Sequence, residues 1–317
     1  MSPRKLFLGA IALNAVFGLA HAQSSLILFG KVDSAFVKKP GSDARQLDEG
    51  AQSRFGVRGI EDLGGGLSAF FWLENRFRSD TGGLTAVRFF QGQSIVGLRN
   101  GLHNVALGRD YIAGYVDVQL LIDPFIHTGI SSMVQASNGG IGTVRADGAV
   151  TYQFKNDSLF FSVQAASATE PNSTTLPGAA TADRPMSLAA SYKVGPVVAG
   201  YSYENPGGAR DKWQLVTARG TAGPVLLSAG YGRGTMNDGN ERRSYLLGLA
   251  LLTSTGRLKM AYGNLRNSTR DIAVMNKWAV GYNYDLSKRT FVYANVARDQ
   301  ALLASKAGIE IGIQHNF

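Results

Sequence analysis

Residues 52–83, QSRFGVRGIEDLGGGLSAFFWLENRFRSDTGG, narrow the folds open to this chain more than any other stretch. Before the central turn, Arg54, Gly56 and Arg58 alternate with Phe55 and Val57. After it, Trp72, Glu74, Arg76 and Arg78 alternate with Phe71, Leu73, Asn75 and Phe77. Successive side chains of a strand point to opposite faces, so both halves put arginine on one side and aromatic or aliphatic groups on the other. Between them, residues 61–66 read as a tight turn, where glycine takes a positive φ without steric cost. A soluble sandwich would bury the apolar face of such a hairpin. A transmembrane barrel gives that face to lipid and turns the charged one toward water.

The rest of the chain repeats the pattern in segments of about ten residues, the length a barrel strand needs. Residues 25–36 read as the first strand and 38–50 as an outer loop. The hairpin supplies strands two and three, with 89–98 as the fourth and 105–109 as the fifth. Residues 110–148 break the rhythm: they carry Pro124 and several glycines, show little alternation, and are long enough to mark a functional loop. Strands resume at 149–154 and 159–168, and 169–184 read as a polar loop. Near the C-terminus, Trp278, Val280, Tyr282, Tyr284 and Leu286 share one face, and in the last strand Ile309, Ile311 and Ile313 oppose Glu310, Gly312 and Gln314. The expected architecture is all-β, a closed antiparallel barrel of sixteen strands, an even number as single-chain bacterial barrels require. A barrel of that size encloses an aqueous channel.

Targeting signals agree. Arg4 and Lys5 precede an apolar run over 6–19 and the A-x-A site Ala20-His21-Ala22, so residues 1–22 read as a secretory signal and 23–317 as the barrel. No other apolar run approaches the ~20 residues of a spanning helix. A membrane-resident form must therefore be a closed barrel, the other structure that satisfies its backbone in lipid. The mean hydropathy of −0.04 fits, since lipid-facing and water-facing residues cancel. Cysteine is absent, which leaves a continuous hydrogen-bonded cylinder to supply the stability of an exported chain. The formal charge is +9, yet charged residues are 17% of the chain and the arginines alternate with apolar groups, a pattern that argues against nucleic acid as a partner.

Catalysis finds no support. His103, His127 and His315 fall in a turn, the long loop and the last strand, and no nucleophile-elbow, metal-ligand or phosphate-cradle motif is present. No cofactor and no metal are expected. The arginines carry the functional signal. Arg54, Arg58, Arg76 and Arg78 lie on the polar face of their strands. Arg88 enters the fourth strand, Arg109 ends the fifth, and Arg145 shares parity with Thr151 and Gln153. Arginine stays charged at any accessible pH, and rings of such groups make a passage favour anions. Structural roles compete: these arginines also suit lipopolysaccharide phosphates at strand ends, a subunit contact, or pairing with Glu61, Asp62 or Glu74. On the long loop Asp110, Asp117 and Asp123 are the acidic candidates, to face the arginines or to cap turns of the loop itself.

The motifs SRFGVRGIEDLGGGLSAFFWLE, Gln93-Ser94-Ile95-Val96-Gly97-Leu98, Val105-Ala106-Leu107-Gly108-Arg109-Asp110, Asp123-Pro124-Phe125 and terminal Phe317 occur in this order across the chain. Together they resemble the trimeric general porins of Gram-negative bacteria, in their neisserial and betaproteobacterial branch. The resemblance implies a homotrimer in the outer membrane, in contact with its lipid and lipopolysaccharide, that passes small hydrophilic solutes and ions by diffusion. It implies that the third loop (110–148) folds into the lumen as a constriction faced by basic wall residues, a role carried most directly to Arg54, Arg88 and Arg145. One departure is Gly92, where the family often has a second arginine. Its loss is expected to widen the passage or weaken anion preference. The alternatives are a substrate-selective anion channel, a structural or adhesive outer-membrane barrel, and an exported soluble β-protein.

Overall fold

The computed structural model describes residues 25–167 and 184–317. The expected signal segment and nearly all of the polar loop expected over 169–184 lie outside the described residues. Strand β1 (Ser25–Lys38) is followed by the short β2 (Arg45–Asp48) and the hairpin β3 (Ser53–Gly64) and β4 (Leu67–Phe77). A second hairpin joins β5 (Ser94–Asn100) to β6 (His103–Tyr111). After a long excursion come β7 (Arg145–Lys155), β8 (Leu159–Ala165), β9 (Met186–Val194) and β10 (Val197–Asn205). Then follow β11 (Lys212–Ala222), β12 (Val225–Thr235), β13 (Glu241–Thr253) and β14 (Gly256–Asn267). The chain ends with β15 (Ile272–Asp285), β16 (Thr290–Asp299) and β17 (Ala307–Asn316).

From β3 onward each strand pairs antiparallel with its sequence neighbours. The sheet closes where β1 pairs with β17, from Lys31↔Asn316 to Lys38↔Ile309. On its other edge β1 meets β3 over its first half and β2 over its second, so β2 and β3 occupy one place in the wall. The seventeen segments therefore form a closed barrel of sixteen staves. Polarity is inverted relative to a soluble protein. In β17, Glu310 is 2% exposed between Ile309 at 42% and Ile311 at 55%. Asp33, Glu74, Glu204 and Asp299 are buried while Leu28, Phe36, Leu247 and Trp278 are exposed. An apolar exterior and a polar interior are what lipid outside and water inside demand.

Several expected boundaries differ. The fourth strand was expected over 89–98 but begins at Ser94, and Arg88 lies in the connection before it. That connection is held by side chains instead of a ladder: Asn75 Nδ2 donates to the Phe89 carbonyl, and Gln91 Nε2 donates to the Arg76 carbonyl at 2.9 Å. The outer loop at 38–50 contains β2, folded back on β1. The long excursion is shorter at both ends, since β6 reaches Tyr111 and β7 starts at Arg145.

The hydrophobic core is made by that excursion. Val118, Ile122, Phe125, Met133 and Ala136 pack on Trp213, Leu215, Leu246, Leu265 and Met275 of the inner wall. Wall glycines let it approach. A Cβ at Gly248 would stand 2.7 Å from Pro124 Cδ, and one at Gly263 would stand 2.9 Å from Met133 Sδ. Polar wall residues then pin the backbone. Ser228 Oγ donates to the Ile122 carbonyl at 2.7 Å, Ser244 Oγ to Ala136 at 2.6 Å and Trp213 Nε1 to Ser137 at 2.8 Å. Glu204 accepts from both the backbone N–H and the hydroxyl of Thr143.

Within the excursion Asp123 is turned onto its own chain. It accepts from the backbone N–H groups of Phe125, His127 and Met133 at 2.9, 3.0 and 2.9 Å. Ile126 and His127 sit there at positive φ, a conformation costly for side chains of their size and held by this knot. Asp123→Ala orphans three donors, each worth about 1–3 kcal/mol when buried. Amide exchange over 123–133 is therefore expected to accelerate while β11–β14 keep their protection; unchanged exchange in 123–133 would refute the knot.

Candidate functional site

The inward faces of β1, β3, β4 and β7 bring a group of cations together. Register sets Lys31 opposite Arg54 and Arg54 opposite Arg76. Like charges directly across a ladder repel, so this row needs a counter-charge. Glu74 supplies it: its Oε1 lies 2.9 Å from Arg76 Nη2, 3.0 Å from Arg76 Nε and 3.6 Å from Arg54 Nη1. The carboxylate is 3% exposed. Arg76 also donates to Gln52 Oε1 and, at 3.1 Å, to Tyr111 Oη.

Arg145 completes the group from β7. It lies opposite Tyr111 in the ladder, donates to Tyr111 Oη at 2.8 Å and stacks its guanidinium 4.3 Å over that ring. Tyr111 stacks in turn on Tyr115, ring centres 5.0 Å apart and 8° from parallel. Burial pushes the Tyr115 phenol up to about 12, so it stays neutral at working pH. Among the described residues Arg145 pairs with no carboxylate. Arg54 and Arg76 thus share one acid, Glu74, with Lys31 opposite Arg54 and Arg145 on the same Tyr111 hydroxyl as Arg76.

The other candidate residues are distributed differently. Arg88 and Arg109 both pair with Asp147, Arg88 at 2.6 Å, so one carboxylate neutralises half of their charge. Arg78 pairs with Asp80 at 2.7 Å and Asp48 at 3.4 Å, beside Lys39, which holds Asp48 at 2.7 Å. Arg58 shares the inward face but lies beside aromatic rings, 4.9 Å over Trp72 and 5.5 Å over Phe29. Asp110 accepts from Gln93 Nε2 and the Tyr111 N–H, both at 2.7 Å. Asp117 pairs with Lys155 at 2.6 Å, and Asp123 caps its own turn. The acids that meet Arg54, Arg76, Arg88 and Arg109 are Glu74 and Asp147.

Sequence reasoning missed Lys31, Asp147, Tyr111 and Tyr115. Asp147 had a signal, the shared parity of Arg145 and Asp147 in one strand. Lys31 had none short of knowing the β1–β3 register. At Gly92 the space is already taken: an added Cβ would lie 2.6 Å from Glu74 Cβ and Cδ. The position of the missing arginine is therefore filled by the acid that binds Arg54 and Arg76.

The sequence matches the family described as Gram-negative porin over residues 9–301. It is 28% identical to outer membrane porin protein 32 of Delftia acidovorans, covering 97% of this chain and 98% of that protein. It is also 28% identical to an outer membrane porin protein of Bordetella pertussis, covering 99% of this chain and all of that one. The structure resembles an anion-selective porin from Comamonas acidovorans with a TM-score of 0.78 and 27% identity, over 93% of this chain and 100% of that chain.

Gly92→Ala is expected to lower thermal stability by about 1–3 kcal/mol, because the added methyl overpacks against the buried Glu74 side chain. Unchanged thermal unfolding would contradict the packing described.

Proposed function

The chain belongs to the Gram-negative porins, and from that premise we propose that it passes small hydrophilic solutes and ions by diffusion with a preference for anions. It is an outer-membrane β-barrel. The observation that carries the preference is the imbalance at the inner wall, where Arg54 and Arg76 share Glu74 and Arg145 joins them through Tyr111. A fixed positive excess in a narrow passage concentrates anions and repels cations without ligand exchange or energy input.

In this reading residues 112–144 narrow the lumen, and Arg54, Arg76 and Arg145 line the narrow part. Arg88 and Arg109 contribute a smaller net charge because they share Asp147. Asp110 and Asp117 lie near the passage with their carboxylates already engaged. The anion-selective porin from Comamonas acidovorans supports the direction of the preference, since it resembles this structure over its whole length. Assembly as a homotrimer, with basic groups of the outer rim against lipopolysaccharide phosphates, follows the trimeric porins this chain resembles.

The test is the reversal potential of the purified protein in a planar bilayer under a KCl gradient. Discrete conductance steps with an anion-selective potential are expected. Cation selectivity would overturn the role of the wall cations, and a folded protein without conductance would favour a structural barrel. Glu74→Gln removes the acid shared by Arg54 and Arg76 with little change of shape. A unit charge ~10 Å away in water is worth about 0.4 kcal/mol to each ion, with opposite sign for anion and cation, so the anion-to-cation permeability ratio should rise roughly four-fold.

A further inference from the structure

A recess of about 490 Å³ opens between the start of the excursion and the inner wall of β4 to β7. One end of it, at Phe70, Arg99 and Asn104, lies toward the short turns after β3 and β5, which face the periplasm in barrels of this kind, and the other end reaches Arg54, Glu74 and Tyr111. Phe70, Trp72 and Ile95 line the wall side, and Tyr115, Val116 and Leu120 line the other. The passage of a hydrated ion needs no such surface. Apolar groups facing water cost about 25 cal/mol per Å², and an occupant with an apolar body would recover that cost.

The charged groups at the recess say what else the occupant carries. Glu74 is held by Arg76, Asp117 by Lys155, and Asp110 by Gln93 and the Tyr111 N–H. Arg99 is different. Its Nε donates to Asn104 Oδ1 at 2.7 Å, which orients the guanidinium 5.4 Å over the Phe70 ring. It pairs with no carboxylate among the described residues, so its outer nitrogens are unclaimed. A planar guanidinium fork matches a carboxylate in two parallel hydrogen bonds. The Phe70 ring beneath it lies across Gly97, where a Cβ would stand 2.5 Å from the ring edge, which keeps the aromatic floor flat against β5.

We propose that this recess is a binding subsite for monocarboxylates with an aromatic body, the ring lying against Phe70 and Trp72 and the carboxylate on Arg99. The volume suits a small ligand, and an apolar lining with a few convergent polar groups is the usual make-up of such sites. The inference rests on the diffusion-channel reading and adds a preferred class of solute. Solutes of this class are held on the periplasmic side of the narrow part, beside the wall cation Arg54.

The test compares benzoate with acetate, two monoanions at neutral pH, as inhibitors of chloride current through single channels at fixed ionic strength. Chloride conductance without either carboxylate reports the channel itself, so its absence counts against the diffusion reading alone. Benzoate is expected to reduce the current in a saturable way at a concentration about ten-fold below that of acetate. Trp72→Leu and Arg99→Ala should each bring the two carboxylates close to parity. Equal effects of benzoate and acetate on the unmodified channel would overturn the proposal. So would a benzoate effect that survives both substitutions.

Discussion

Every peptide group in the wall needs a partner in another strand, because lipid offers none. The seam between β1 and β17 satisfies this for the whole molecule. Gly30 and Phe317 exchange two backbone hydrogen bonds at 3.0 Å, and the ladder then continues up the seam. Gly30 has to be glycine here, since a Cβ would stand 2.5 Å from both the Arg54 carbonyl oxygen and the Phe317 ring. Once the seam is closed, period-two alternation assigns each side chain to lipid or to the interior with no further choice.

The interior then sets its own problem. A barrel of sixteen staves has too large a bore for wall side chains to fill. Residues 112–144 supply the missing core on one side, seated on Trp213, Leu215 and Leu246 and pinned by Ser228, Ser244 and Glu204. The apolar packing is gathered on the β11–β15 wall, and the cations are gathered across from it on β1, β3, β4 and β7. The same segment carries Tyr115, which extends the stack from Arg145 and Tyr111. Packing and electrostatics thus meet at one place in the chain.

Much of the barrel was legible in the sequence because its signal is local. In the last strand isoleucine alternates with glutamate, glycine and glutamine, and the structure buries and exposes them accordingly. The parity of Arg54, Arg58 and Arg76 likewise placed them on one face. What the sequence hid depends on contacts between distant residues. The connection before β5 looked like strand, yet it is tied down by Asn75 and Gln91. Gly92 looked like an absent cation, and its space turned out to belong to Glu74. Lys31 and Asp147 entered the picture through cross-strand register and through a bulge between Gly108 and Asp110, neither of which periodicity reveals.

The central claim is that selectivity follows the charge left after pairing, and a plain count of arginines does not predict it. Arg145 and Arg88 separate these views, since Arg145 meets no carboxylate among the described residues while Arg88 shares Asp147 with Arg109. The measurement is the reversal potential of Arg145→Ala and of Arg88→Ala under one KCl gradient. The account predicts a marked shift toward zero for Arg145→Ala and a smaller one for Arg88→Ala. Equal shifts, or a larger one for Arg88→Ala, would contradict it.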